Sequence, residues 1–341
     1  MSGQTAACQG QILALSGGGY RGLYTAKILA CIEESIGHPI ARHFDLLAGT
    51  SIGGILALGL ACELPTANLV CLFEENGSAI FKRRARLGYF KSKYSSDGLA
   101  KLLGSSDVFG SRTLGDCKHR VIVPSINYTT GDPVVFKTPH HPSFHNDHKL
   151  RLVDVALATS AAPSYFPRHI IDHSQFVDGG LIANAPGLIA LHEVEHFLKV
   201  PVDAVRLLSI GTMSSKYTVD PSRNSDGGAV DWGGGDPIEM SRRLFGLAIS
   251  AHETLTYYML RQRLSEDRYM HVDDTLTDQS ARSVDLDKTN PAARQILLAR
   301  AINRAKFVLN DPRLKTLVAY NAPDPAFYYG ASASNPEVTH A

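Results

Sequence analysis

The sequence predicts an α/β protein, a mainly parallel sheet with helices on its faces. Two strand–turn–helix units fall within the first 62 of 341 residues, and apolar strand-like runs recur farther along the chain. In the first unit, residues 11–16 form an apolar strand, Gly17-Gly18-Gly19-Tyr20-Arg21-Gly22 a loop, and residues 23–36 a helix with Leu23, Ala26 and Leu29 on successive turns. Gly37 and Pro39 stop that helix. In the second unit, residues 43–48 form a strand, Gly49 to Ser51 a tight turn, and residues 52–62 an apolar helix.

Residues 64–118 break the pattern and read as an inserted cap, with helices over 68–81 and 97–103 around the basic residues Lys82, Arg83, Arg84, Arg86, Lys91 and Lys93. Strand signals return at 120–127 and 134–137, followed by a histidine-rich loop over 138–148. A helix over 153–159, a strand over 175–177 running into Asp178-Gly179-Gly180, a helix over 185–197 and a strand over 204–210 complete the core. Residues 214–237, rich in Ser, Gly and Asp, read as a mobile loop. A long helix over 237–265, a strand over 269–272 and a helix over 291–309 follow, and the last fifteen residues read as frayed. The expected organisation is one domain: a catalytic core over 10–215 and a mainly helical part over 216–341 packed on it.

Composition excludes several classes. With 44% hydrophobic and 20% charged residues the chain is ordinary for a globular protein. A net charge of +1 provides no global field toward DNA or RNA, or toward an anionic membrane, so such contacts must be local. Cys8, Cys31, Cys62, Cys71 and Cys117 are scattered and odd in number, which argues against a disulfide framework or a zinc site. With no signal peptide or membrane span legible, the expected location is cytoplasmic.

The chemistry gathers at three turns. A serine hydroxyl needs a base to take its proton and donors to hold the oxyanion that follows. Gly49-Thr50-Ser51-Ile52-Gly53 is a GxSxG elbow between an apolar strand and an apolar helix, so Ser51 is the candidate nucleophile at a helix N-terminus. Gly17, Gly18 and Gly19 end one strand and open a helix, which turns backbone N–H groups outward as an anion site. The loop also matches GxGxxG, but a dinucleotide fold wants an acidic residue where the second strand instead delivers the serine turn. Arg21 would orient the loop, approach a phosphate or make a structural salt bridge. A serine on only the second strand arrives too early for an ordinary Ser-Asp-His order. That leaves Asp178, after a later strand, as a base if it is close and partly buried.

These residues resemble the patatin-like phospholipases, which carry a glycine-rich loop, a GxSxG elbow and a DGG or DGA turn in that order. Ala158-Thr159-Ser160-Ala161-Ala162-Pro163, Tyr165-Phe166-Pro167, Asn184, Pro186 and the stretch 207–212 are similar too. The resemblance covers roughly residues 10–215 and implies a three-layer α/β/α fold. It also implies a Ser51–Asp178 dyad without a catalytic histidine, an oxyanion loop at Gly17 to Gly19, supporting roles for Arg21, Gly49, Gly53, Gly179 and Gly180, and no metal. Phe81-Lys82-Arg83-Arg84 and Thr138-Pro139-His140-His141-Pro142 are similar to the CapV-type effectors of bacterial anti-phage signalling. That narrower resemblance implies a cyclic dinucleotide activator such as cyclic GMP-AMP, membrane phospholipid as substrate, action at the inner face of the membrane and a homo-oligomer on activation.

Other features have plainer readings. The basic run suits lipid headgroups, a bound nucleotide or a solvated cap surface. His140, His141, His145 and His148 fit no standard zinc spacing. Tyr257, Tyr258 and Met259 suit either core or an oligomer face. The functional alternatives are a constitutive lysophospholipase or esterase without nucleotide activation, and a non-catalytic storage or binding protein; His173 is the substitute base should Asp178 fail.

Overall fold

The computed structural model describes residues 10–84, 91–213, 232, 237–276 and 283–334. Strands β1 (Gly10–Leu15), β2 (Leu46–Gly49), β3 (Val121–Asn127), β4 (Asp132–Lys137), β5 (His169–Ile171), β6 (Ser174–Asp178), β7 (Val205–Ile210) and β8 (Tyr269–Val272) form one sheet. Its order is β5-β6-β3-β2-β1-β7-β8, with β4 paired to β3. The pairings β1–β2, β1–β7, β2–β3 and β7–β8 are parallel; β3–β4, β3–β6 and β5–β6 are antiparallel.

Successive strand side chains point to opposite faces, and here both faces are covered. Leu13, Leu15, Leu47, Val121 and Val123 face a core shared with α1 (Gly22–Ile36), α2 (Ile52–Ala61), α3 (Thr66–Ile80) and later helices. Ile12, Ala14, Leu46, Ala48 and Ile122 face the other core, closed by α7 (Gly187–His196) and by Leu260 of α8 (Pro237–Arg263). The result is three layers, α/β/α. Among the described residues the remaining α-helices are α4 (Asp97–Leu103), α5 (Leu152–Thr159), α6 (Gly180–Ala183), α9 (Pro291–Asn310) and α10 (Pro312–Val318).

The strand expected from residue 43 begins at Leu46, because Ile40–His43 is a 3-10 turn. Three elements were not expected from sequence pattern, the first being α6, a single turn of helix after the DGG turn. β5 is a three-residue edge strand, too short to show alternation. α10 is short but carries a start signal: the Asp311 side chain accepts the Arg313 N–H, and Pro312 opens the helix. The expected fraying of the last fifteen residues does not hold up to residue 334. Phe327 is buried, and the Tyr328 N–H donates to the Pro139 carbonyl at 2.8 Å. The mobile loop expected over 214–237 lies almost wholly outside the described residues.

Two features of this scaffold position the site. β3 pairs with β2 through Ile122 and with β6 from Ser125 onward, so the ends of β2 and β6 meet beside Pro124. α8 crosses from the second core to the mouth of the site, bringing residues from the last third of the chain.

α9 is capped by Asn290, whose side chain accepts the Ala293 N–H at 2.9 Å. Asn290→Ala is expected to cost about 1 kcal/mol, read as a lowered urea midpoint with unchanged slope.

Candidate active site

Ser51 follows β2 and caps α2 with φ 54 and ψ −123, a backbone region costly for a residue with a side chain. The flanking glycines make that turn possible. A Cβ at Gly49 would stand 2.1 Å from the Gly53 carbonyl oxygen, and one at Gly53 would stand 2.3 Å from that of Leu15. The turn is held from outside as well. The Thr50 hydroxyl donates to the Ala183 carbonyl at 2.6 Å, and the Ser51 N–H donates to the Thr159 hydroxyl at 3.0 Å. Thr159 in turn donates to the Pro124 carbonyl at 2.6 Å. One hydroxyl therefore bridges the gap where β3 leaves β2 for β6.

Asp178 ends β6, in register with Ser125 of β3. The Ser51 hydroxyl donates to its Oδ2 at 2.8 Å, and the Gly180 N–H donates to its Oδ1 at 2.7 Å. Burial raises the Asp178 carboxyl to about 7, against the smaller opposing pull of those two hydrogen bonds. A carboxylate poised near neutrality can accept a proton and return it. His173 sits exposed in the β5–β6 turn, with no hydrogen bond to either residue among those described.

The glycine loop divides its work. The Gly17 N–H is committed to the Asn184 carbonyl at 2.9 Å, and its own carbonyl accepts from the Asn184 amide and the Thr212 hydroxyl. Gly17 is therefore an anchor rather than a donor toward Ser51. The N–H groups of Gly18 and Gly19 have no partner among the described residues, and both glycines line the pocket with Ser51 and Asp178. Gly19 has φ +57, and a Cβ there would stand 2.2 Å from the Leu286 carbonyl oxygen. That same carbonyl accepts the Tyr20 N–H at 2.8 Å. Arg21 is buried and donates to the carbonyls of Gly18 (3.4 Å) and Met213 (3.3 Å), so it braces the loop from behind.

The second half of the chain completes the frame. The Asn184 amide also donates to the buried Glu253 of α8 at 2.7 Å. The Tyr257 hydroxyl, also on α8, lies 3.1 Å from the Ser16 hydroxyl. Around Leu286, Asp285 pairs with Arg242 of α8 and Asp287 with Lys93, while the Tyr94 hydroxyl donates to Asp287. Two signals pointed to part of this frame: Thr159 and Asn184 stand in sequence blocks already singled out. Glu253, Leu286 and Asp287 carry no local signal.

Above Ser51 lies a partly open pocket with a mostly apolar lining. Phe73 and Ile80 of α3, Leu99 of α4, Phe166, and Phe245 and Ile249 of α8 supply much of it. Such a cavity suits a hydrocarbon chain whose ester carbonyl rests at Ser51.

Of the other candidates, Lys93 is tied to Asp287, and Arg84 donates to Ser92 and Ser95, while Arg86 lies outside the described residues. His140 is buried between the Thr138 hydroxyl and Glu193, and burial lowers its pKa. No group of His, Cys, Asp or Glu among the described residues is arranged to hold a metal ion. No described helix is long and apolar enough to cross a membrane.

A serine hydroxyl bonded to a buried carboxylate, a glycine loop with two unpaired N–H groups among the described residues and an apolar pocket suit an acyl hydrolase with room for a lipid chain. The patatin-like phospholipase profile matches residues 13–191, and the chain belongs to that family of lipid acyl hydrolases. It is 49% identical over 333 residues to a cGAMP-activated phospholipase of Pseudomonas aeruginosa, covering 96% of this chain and 97% of that one. Proteins of the same description from Vibrio cholerae and Escherichia coli are 38% and 37% identical, over 86% and 85% of this chain and 89% and 87% of theirs.

Two outcomes follow. Hydrolysis of a soluble ester should fall as pH drops through about 7, because protonated Asp178 no longer accepts the serine proton; Asp273→Asn, at a second carboxyl raised to about 7, should leave that limb in place in a pH–kcat/KM profile. Thr159→Val leaves the Ser51 N–H and the Pro124 carbonyl unpaired, and should cost about 1–3 kcal/mol in a denaturant titration while lowering kcat.

Proposed function

We propose that the protein hydrolyses acyl esters of membrane phospholipids through a Ser51–Asp178 dyad, and that a cyclic dinucleotide such as cyclic GMP-AMP switches it on in anti-phage defence. The observation that carries the catalytic part is the 2.8 Å hydrogen bond from the Ser51 hydroxyl to a fully desolvated carboxylate at the floor of an apolar pocket. The activator rests on relatives described as cGAMP-activated phospholipases, one of them aligned over 96% of this chain, and the defence role on the sequence resemblance to the CapV-type effectors.

The reaction runs in two halves. The Ser51 oxygen attacks the ester carbonyl as Asp178 Oδ2 takes its proton. The tetrahedral oxyanion sits against the Gly18 and Gly19 N–H groups and the positive end of α2. Collapse breaks the bond to the alcohol, which leaves as lysophospholipid with the proton from Asp178. Water then attacks the acyl-serine, Asp178 takes its proton, and the second collapse releases fatty acid and restores the Ser51 hydroxyl. Gly49 and Gly53 shape the elbow, Gly179 and Gly180 the turn that presents the carboxylate, and Arg21 braces the donor loop. In this reading the enzyme works peripherally on the membrane, with self-association accompanying activation.

Fatty-acid release from phospholipid vesicles, with a panel of cyclic nucleotides, is the direct test. Cyclic GMP-AMP should raise the rate, and Ser51→Ala and Asp178→Asn should each abolish it with circular dichroism unchanged. Full activity without any nucleotide would establish the constitutive esterase reading instead. Near-normal turnover by folded Asp178→Asn would remove the dyad.

A further inference from the structure

Water is the second reactant at this site, and it needs more than a base. Once Ser51 carries an acyl group, a water must turn a lone pair toward the acyl carbon while Asp178 takes one of its protons. Its other O–H swings freely unless a second acceptor holds it, and loose positioning slows a reaction.

The side-chain oxygen of Asn184 is placed to be that acceptor. Asn184 is buried and lines the pocket with Ser51 and Asp178. Its neighbours fix which way the amide faces. Nδ2 donates to the Glu253 carboxyl at 2.7 Å and to the Gly17 carbonyl at 3.2 Å. The Gly17 carbonyl can only accept, so the nitrogen belongs on that side and the oxygen on the other. A Cβ on Gly17 would stand 2.3 Å from Asn184 Oδ1 and 3.2 Å from Ser51 Cβ. One on Gly180 would stand 2.9 Å from Asn184 Oδ1 and 3.0 Å from Asp178 Oδ1. The same oxygen therefore lies close to the nucleophile and close to the base, in space that two glycines keep clear. No hydrogen bond reaches it from the described residues. A buried acceptor without a donor is rare and calls for a partner.

We propose that Asn184 Oδ1 holds the second O–H of the water that hydrolyses the acyl-Ser51 intermediate. The proposal rests on the Ser51–Asp178 reading and adds the residue that aims the water. The water donates one O–H to Asp178 and the other to Asn184. Its lone pair forms the new C–O bond as Asp178 Oδ2 takes the first proton. Collapse breaks the bond between the acyl carbon and Ser51 Oγ, which takes that proton back from Asp178. The fatty acid leaves with the proton that Asn184 held, and Asn184 itself neither gains nor loses one. Acylation needs no such help, because the Ser51 hydroxyl already donates to Asp178 at 2.8 Å.

A role confined to holding the glycine loop predicts something else. The loop serves the oxyanion in both halves of the reaction, so damage to it slows both. Asn184→Ala also leaves two ties on Gly17 in place: its N–H to the Asn184 backbone carbonyl at 2.9 Å, and the Thr212 hydroxyl to its own carbonyl at 2.8 Å.

The test follows p-nitrophenyl butyrate with cyclic GMP-AMP present throughout. First-turnover release of p-nitrophenol gives the acylation rate. Loss of the acyl mass from Ser51, followed by mass spectrometry after excess ester is removed, gives the deacylation rate. Asn184→Ala should acylate within about threefold of the unsubstituted chain and deacylate about 10–100-fold more slowly, so that acyl-Ser51 accumulates. Hydroxylamine, a stronger nucleophile, should clear the accumulated adduct. Thr212→Val, which cuts a loop tie and leaves Oδ1 in place, should change both steps by the same factor. Melting curves establish that each variant is folded; Asn184→Ser, which also lacks an oxygen at the Oδ1 position, replaces Asn184→Ala if that variant is not. The proposal is overturned if both steps slow together in the Asn184 variant, if its adduct clears at the ordinary rate, or if Thr212→Val shows the same selective loss of deacylation. An unsubstituted chain that turns over the ester without an adduct on Ser51 strikes the dyad reading itself; a normal adduct that the Asn184 variant clears normally strikes the role of Asn184 alone.

Discussion

Everything at this site depends on holding the Ser51 backbone at a φ it would not adopt freely. The restraint comes from three directions. Glycines at 49 and 53 let the chain fold back on itself and against Leu15. The Thr159 hydroxyl takes the Ser51 N–H and gives its own proton to Pro124. The Asp178 carboxylate accepts the hydrogen bond of the Ser51 hydroxyl. Pro124 has no N–H to donate on the edge of β3 that β2 and β6 share, and at that point the sheet opens and a threonine reaches in. The gap in the sheet and the strained serine are one construction.

The electrostatics follow from the same closeness. Asp178 is desolvated because the elbow, the β6 turn and α5 crowd it, and desolvation is what brings its carboxyl near neutrality. A more solvated aspartate would be a weaker base at pH 7. Gly18 and Gly19, whose N–H groups have no partner among the described residues, line the same apolar pocket, where a hydrogen bond to a forming negative charge would be stronger than in water. The apolar lining thus serves the acyl chain and the chemistry together.

Much of the fold was legible because its strands and helices keep strict periods: β1, β2 and α2 are nearly continuous apolar runs, as doubly covered elements must be. The elbow and the DGG turn were legible because glycines mark places where only a small residue fits. What escaped has a common cause. Whether the Gly17 N–H points at a substrate or at the Asn184 carbonyl is decided by a contact between residues far apart in sequence, and no local pattern encodes it. Glu253 and Leu286 are ordinary residues in ordinary surroundings until the chain folds back to the glycine loop. β5 was too short to show a period, whereas α10 had a readable Asp-Pro start.

The contact between Leu286 and the glycine loop has a consequence for the order in which the protein comes to be. The Tyr20 N–H needs the Leu286 carbonyl, and Asn184 needs Glu253. A chain still on the ribosome and synthesised only through β7 holds every signature turn, yet lacks both supports of its donor loop. The supports of the donor loop are therefore among the last parts of the chain to be made.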